Sequence, residues 1–289
     1  MSLPPDRNID PVDPPPGTRT ATSENFPVGS VLLPRRIRPV VAAFYHFART
    51  ADDVADDPSL SPEQKLALLD AADDALLGDT SRAPRTGPAQ ALRQVLLAEN
   101  RSLDQPRTLL EAFRRDSRNP PTRDWADLMD YCRLSAAPVG RFLLELHDQS
   151  EATYPAADAL CAALQVLNHI QDCRDDYRAM RRVYVPANWL AREGLTAECL
   201  GEAQAAPGLL RILDEMLDGV DTLLAEATPL SGQVTARGLR LETSVIRTLA
   251  MRLSAKLRGR DPLRSRIALG FVDWTLGPLV GAVRGLAFS

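Results

Sequence analysis

Residues 38–57, RPVVAAFYHFARTADDVADD, and 164–178, LQVLNHIQDCRDDYR, each set a ladder of polar groups into otherwise apolar sequence. At 3.6 residues per turn, each residue advances about 100° around a helix axis. Tyr45, Arg49, Asp52 and Asp56, at offsets of 0, 4, 7 and 11, therefore fall within roughly 60° of one another, with Asp53 to one side. Val40, Val41, Ala43, Phe44, Phe47, Ala48, Ala51 and Val54 make the remainder of that helix largely apolar. On the second segment Gln165, Asn168, Asp172 and Asp176, at offsets of 0, 3, 7 and 11, form a matching stripe. A chain with two such helices has to bury their apolar faces and keep both polar ladders out of the apolar core.

The rest of the chain has the same helical character. From Ser23 onward Ala, Leu and Arg dominate, and β-branched alternation of strand length is nearly absent, which predicts an all-α fold. Pro and Gly clusters place helices near 24–32, 36–57, 62–77, 88–99, 106–116, 124–148, 155–180, 186–192, 196–203, 207–227, 232–258 and 262–286. Pro138 falls inside one of these, where it must break a backbone hydrogen bond and kink the helix. Residues 1–20 are Pro-rich and polar without periodicity, and are expected to be disordered. No linker divides the chain after about position 40, so residues 21–289 are read as one helical domain with ample length for a core.

A formal charge of −4, with Lys and Arg interspersed among Asp and Glu, excludes a nucleic-acid binder. The four cysteines, Cys132, Cys161, Cys173 and Cys199, include no CxxC pair and read as reduced thiols of a cytoplasmic protein. The three histidines, His46, His147 and His169, are too scattered for a zinc site, and the latter two read as structural. The N-terminus has no apolar core of a signal peptide, and no apolar run reaches the ~18 residues of a membrane span. The C-terminal FVDWTLGPLVGAVRGLAFS is the most apolar segment and is either a core-packing helix or a point of peripheral membrane contact.

The ladders carry the chemistry. Carboxylates at i and i+4 repel by a few tenths of a kcal/mol on an isolated helix, and a cation between them reverses the sign. Mg²⁺ typically takes one or two carboxylates, several waters and phosphate oxygens. Facing pairs would hold a small Mg²⁺ cluster over one diphosphate, with Arg49 and the amide of Asn168 donating to phosphate and metal-bound water. A single run such as Asp52 to Asp57 is more often a solvated helix end. Acidic residues late on a helix also oppose its dipole, so they are not capping it. Two matched stripes, each set in an apolar helix, shift the balance to a metal-diphosphate site.

Asp52-Asp53-Val54-Ala55-Asp56 and Asp172-Cys173-Arg174-Asp175-Asp176 resemble the two DxxxD motifs of the squalene/phytoene synthase family. Ser23-Glu24-Asn25-Phe26 resembles its N-terminal substrate-contacting segment, and Tyr45 to Arg49 its YxxxR. Tyr131 to Gly140, YCRLSAAPVG, resembles its YCxxxAxxVG helix, and Arg182 to Pro186 its RxYxP flap. The resemblance runs from about 23 to 280 with motifs in order, and is greatest to the bacterial branch of hopanoid pathways. Most condensing relatives carry Arg directly before the second motif, where this chain has Gln171.

The resemblance implies an isoprenoid synthase fold with helices around a central cavity. It implies presqualene diphosphate as substrate, made by a partner enzyme of the pathway, and no nicotinamide cofactor. Mg²⁺ on Asp52, Asp56, Asn168, Asp172 and Asp176, with Asp53 beside them, would neutralise the leaving diphosphate. The cyclopropylcarbinyl cation would then open and be captured by water. Ser23, Phe26, Tyr45, Arg49, Gln165, Gln171, Arg182 and Tyr184 would contact substrate, Ser23 and Phe26 being alternatively an N-cap and its staple. Tyr131, with Asp52 and Asp172, would be catalytic, or else a core tyrosine with its hydroxyl bonded. The rival readings are a synthase condensing two prenyl diphosphates and a non-catalytic helical assembly protein of the same fold.

Overall fold

The computed structural model describes residues 34–79, 81 and 87–270. Ser23, Phe26, the expected helix at 24–32, the expected disorder of 1–20 and the apolar residues 271–289 lie outside those described.

Among the described residues the chain is helical with no strand. In order run α1 (Arg38–Asp56), α2 (Pro62–Leu77), α3 (Gly87–Ala98), α4 (Asp104–Arg118), α5 (Trp125–Ser135) and α6 (Ala137–Leu146). They are followed by α7 (Tyr154–Met180), α8 (Ala187–Arg192), α9 (Pro207–Glu226), α10 (Leu230–Gln233) and α11 (Arg237–Leu257). Local signals set several ends. The Ser61 hydroxyl accepts from the Gln64 N–H at 3.3 Å, and the Gln64 side chain accepts from the Ser61 N–H at 2.8 Å, closing a capping box with Pro62 in the first turn. Gly78, at φ 104°, ends the same helix in the left-handed region.

Four expected elements differ. The helix expected over 124–148 is two: Pro138 cannot donate to the preceding turn, and the chain breaks at Ala136 before restarting as α6. The helix expected over 232–258 is divided into α10 and α11, and 196–203 holds only a 3₁₀ turn, Ala197–Gly201. The expected helix at 262–286 does not form over its described part, since residues 262–270 are turns and chain without regular structure. Side chains of α7, and Asp261 just before the segment, take its backbone groups instead. Gln171 Nε2 donates to the Ile267 carbonyl at 2.6 Å, Arg174 donates to the Leu263 carbonyl, and the Leu263 N–H is taken by Asp261 at 2.9 Å.

Two apolar clusters fill the interior. Phe44, Phe47, Leu69, Leu92, Leu110 and Phe142 gather α1 to α4 around α6, with the Phe44 and Phe142 rings stacked at 4.0 Å. Leu128, Val166, Leu167, Met216 and Leu253 gather α5, α9 and α11 around α7. Each fully buried Leu or Phe contributes roughly 1.5–3 kcal/mol, so helix propensity is a minor term beside this packing. α6 lies against α7 and joins the two clusters. All four cysteines are free. No described helix is long and apolar enough to cross a membrane.

Gly140 explains one motif glycine physically. A Cβ there would stand 2.5 Å from Cys161 Sγ, so the bare backbone is what lets α6 approach α7. Alanine normally favours a helix over glycine by about 1 kcal/mol, yet Gly140→Ala is expected to destabilise by about 1–3 kcal/mol through overpacking. Thermal melts of Gly140→Ala in wild-type and Cys161→Ala backgrounds check this; an equal loss in both would rule out the Cys161 contact as the cause.

Candidate active site

The predicted stripe on α1 exists as a half-buried face. Tyr45, Arg49, Asp52 and Asp56 are all intermediate in exposure between the buried Phe44, Phe47, Ala51 and Ala55, whereas Asp53 is exposed. On α7, Gln165, Asn168 and Asp176 are likewise half-buried, and Asp172 is buried. A buried carboxylate needs a countercharge. Asp172 has one in Arg266, 3.4 Å away, which comes from the segment after α11.

Every α1 motif carboxylate is held by an arginine. Arg49 reaches Asp52 at 2.9 Å and Asp53 at 2.8 Å, both within the helix. Asp56 lies 2.6 Å from Arg182, which belongs to the segment following the second motif. Arg182 thereby links the two motifs, because its backbone N–H also donates to the Asp176 carbonyl at 3.3 Å. The link has a local cause. Arg181 adopts φ 56° and ends α7 in the left-handed region, so the chain reverses and turns Arg182 back toward α1. The reversed segment is braced by Thr122, whose hydroxyl donates to the Val183 carbonyl at 2.9 Å, and by the Ala187 N–H on the Thr122 carbonyl at 2.9 Å.

Burial, then the neighbouring Asp56, pushes the Asp52 carboxyl up to about 7, against the pull of Arg49 and Arg182. Like charges four residues apart are thus incompletely compensated even with both arginines present. That is the condition a hard divalent cation relieves, and the donor set is all oxygen, so the α1 pair fits Mg²⁺. Among the described residues no three His, Cys, Asp or Glu side chains gather tightly enough to hold a metal on their own. Two carboxylates per helix supplemented by water and phosphate oxygens would be consistent with that.

Beyond Arg182 the site continues as an aromatic group. The Tyr131 hydroxyl donates to Asp116 Oδ2 at 2.9 Å and meets the Tyr184 hydroxyl at 3.2 Å, while Tyr184 reaches Asp116 Oδ1 at 3.4 Å. His169 stacks on Tyr184 with centroids 3.6 Å apart, and Arg115 lies over the Tyr131 ring at 5.4 Å. Burial holds both phenols well above their ordinary value and therefore protonated. Burial, helped by the Arg182 charge, lowers His169 to about 3, so the imidazole is neutral.

The structure thus brings Asp52, Asp56, Arg182, Tyr184 and Tyr131 into one connected set. Gln171 is placed differently, donating to the Ile267 backbone. Arg174 and Arg178, the arginines of the second motif's own turns, donate to the carbonyls of Leu263 and Gly201. Asp116, His169 and Arg266 carried no sequence signal. Asp116 is one charge within EAFRRDSRN, and its partners lie 15 and 68 positions away.

The squalene/phytoene synthase family model matches residues 19–272. Hydroxysqualene synthase of Rhodopseudomonas palustris is 40% identical over 258 residues, covering 89% of this chain and 87% of that protein. Phytoene synthase of Rhodobacter capsulatus is 30% identical over 205 residues, covering 70% of this chain and 60% of that one. Among solved structures, squalene synthase HpnC from Alicyclobacillus acidocaldarius superposes with a TM-score of 0.69 at 32% identity, covering 80% of this chain and 86% of that one.

The Asp52 shift has a sign that can be tested. With a carboxyl at about 7 in the folded chain and 3.8 in the unfolded one, the native state retains a proton the unfolded chain has released. Its contribution to stability therefore falls as pH rises from about 4 to 7. In metal-free protein, Asp52→Asn should raise the melting temperature relative to wild type by more at pH 8 than at pH 5. A difference that does not change with pH would show an ordinary carboxyl.

Proposed function

The chain belongs to the squalene/phytoene synthase family, and we propose that it converts presqualene diphosphate and water to hydroxysqualene and diphosphate. The observation that carries this reading is the likeness to hydroxysqualene synthase along nine-tenths of the chain. The two intact aspartate motifs support it, as does Arg182, which pairs with Asp56 of one and donates its backbone N–H to the Asp176 carbonyl of the other. The condensing rival is the weaker reading, because the similarity to a phytoene synthase is lower and covers less of both chains. A non-catalytic role leaves the incompletely compensated carboxylates without a purpose.

Asp52 and Asp56 on α1, with Asn168, Asp172 and Asp176 on α7, are the groups proposed to hold Mg²⁺, Asp53 being exposed and turned to Arg49. When bound, the metal neutralises charge on the departing diphosphate. Arg49 and Arg182 are each tied to the motif carboxylates in this structure. Released from those carboxylates, they become donors for the phosphate oxygens. Tyr45 and Gln165 extend the two ladders toward the substrate. Tyr184, on the segment braced by Thr122, closes over the leaving group, and the aromatic rings beyond it shield the carbon cation from bulk water. No reductant takes part, since water is the acceptor. The substrate is supplied by an enzyme that forms a cyclopropylcarbinyl diphosphate.

Presqualene diphosphate alone, with Mg²⁺ and no NADPH, should yield a C30 alcohol whose oxygen carries the label in ¹⁸O water. EDTA should abolish turnover and Mg²⁺ restore it. Asp52→Ala and Asp172→Ala should each lose at least about a hundredfold in rate while keeping a helical circular dichroism spectrum. Efficient formation of presqualene diphosphate or a hydrocarbon from farnesyl diphosphate would assign the chain to the condensing branch instead.

A further inference from the structure

The proposed reaction needs one water delivered to a carbon cation, in a site otherwise built to keep water out. A polar cavity of about 10 Å³ sits beside Asp116, walled by Arg115, Thr122, Tyr131, Arg182 and Tyr184. About 10–15 Å³ is the room one water requires, and a stable buried water needs two to four polar partners. Asp116 offers them: each carboxylate oxygen takes one bond from a tyrosine and has a further lone pair.

Two further observations point the same way. His169 Nε2 is buried without a hydrogen-bond partner, on a ring stacked against Tyr184 and 5.8 Å from that of Tyr131. A buried nitrogen so placed calls for a partner such as an ordered water, and its ring backs the Tyr184 wall without itself lining the cavity. The small cavity also shares Asn119, Pro120, Thr122 and Val183 with a larger cleft of about 280 Å³. Single residues are thus common walls of both spaces, and the cleft approaches Asp116 from the side of the 119–123 loop.

Resting on the function proposed above, we propose that this cavity is the site of the nucleophilic water and that Asp116 is its proton acceptor. The water oxygen donates a lone pair to the carbon cation, forming the C–O bond. One of its protons passes to the Asp116 carboxylate, leaving a neutral alcohol and a neutral carboxylic acid. The acid returns its proton to solvent through the cleft, which also admits the next water. Burial pushes the Asp116 carboxyl up to about 6, against the pull of Arg182 and Tyr131, which suits a group that accepts and then releases a proton near neutrality.

The test compares products, not rate. Full-length wild type and Asp116→Asn are incubated with presqualene diphosphate and Mg²⁺, and the alcohol formed is measured against the diphosphate released. The variant should show a roughly tenfold lower ratio of alcohol to diphosphate, the balance appearing as C30 hydrocarbons. An unchanged ratio overturns the role of Asp116. Absence of alcohol from the wild type would instead overturn the proposed function, so the two failures are distinguishable. Should Asp116→Asn not fold, a high-resolution crystal structure of the wild type decides. A water within about 3.2 Å of Asp116 is expected, and a dry cavity overturns the proposal.

Discussion

Arg182 touches both aspartate motifs, through its guanidinium at Asp56 and through its backbone N–H at the Asp176 carbonyl, and the surrounding chain is arranged to deliver it. Its side chain is buried and pairs with Asp56 at the end of α1, while its backbone holds the end of α7. Removing the guanidinium would leave the half-buried Asp56 carboxylate without this countercharge, beside the like charge of Asp52. Holding the guanidinium there requires the left-handed turn at Arg181, and the turn is braced by Asn119, whose amide donates to the Met180 carbonyl at 3.2 Å. α4 ends at Asn119, so the same corner that stops one helix fixes the residues that follow another.

The two ladders solve the same electrostatic problem in different ways. On α1 the first two aspartates are compensated locally, since Arg49 sits one turn before both Asp52 and Asp53, and only Asp56 draws on the distant Arg182. On α7 the first aspartate is buried and takes its countercharge from Arg266, far along the chain. Gln171 and Arg174 fasten the same segment to α7 through its backbone carbonyls. The residue that departs from the condensing pattern therefore holds a strap, and the strap brings back a cation next to Asp172.

Periodicity revealed the helices and both ladders because each is a property of consecutive residues on one axis. α2 runs from Pro62 to Leu77 as expected, since a capping box and a left-handed glycine are local signals. The break at Ala136 was half legible: Pro138 announced a kink, but whether a helix bends or restarts depends on the neighbours it packs against. Asp116 was illegible because its meaning lies in contacts with Tyr131 and Tyr184, residues on other elements. The irregular course of 262–270 was missed for the same reason. Its apolar residues satisfied a helical pattern, while its carbonyls were claimed by side chains of α7.

A carbon cation alkylates any good nucleophile it meets, so the walls of such a site must be polarisable yet poor nucleophiles. Tyr131 and Tyr184 meet that requirement because burial keeps their phenols protonated, offering ring faces that attract positive charge without a phenolate that would bond to it. Asp116 is the exception, a carboxylate within reach of the same rings. Both tyrosine hydroxyls converge on it, one on each oxygen. Those two bonds occupy one lone pair on each oxygen and crowd the carboxylate, which hinders a carbon centre more than a small donor such as water. In the proposed reaction a carboxylate so covered takes a proton from water more readily than it forms an ester with the cation. The tyrosine pair then has a function beyond shape: it lets one basic group exist beside an electrophile that would otherwise consume it.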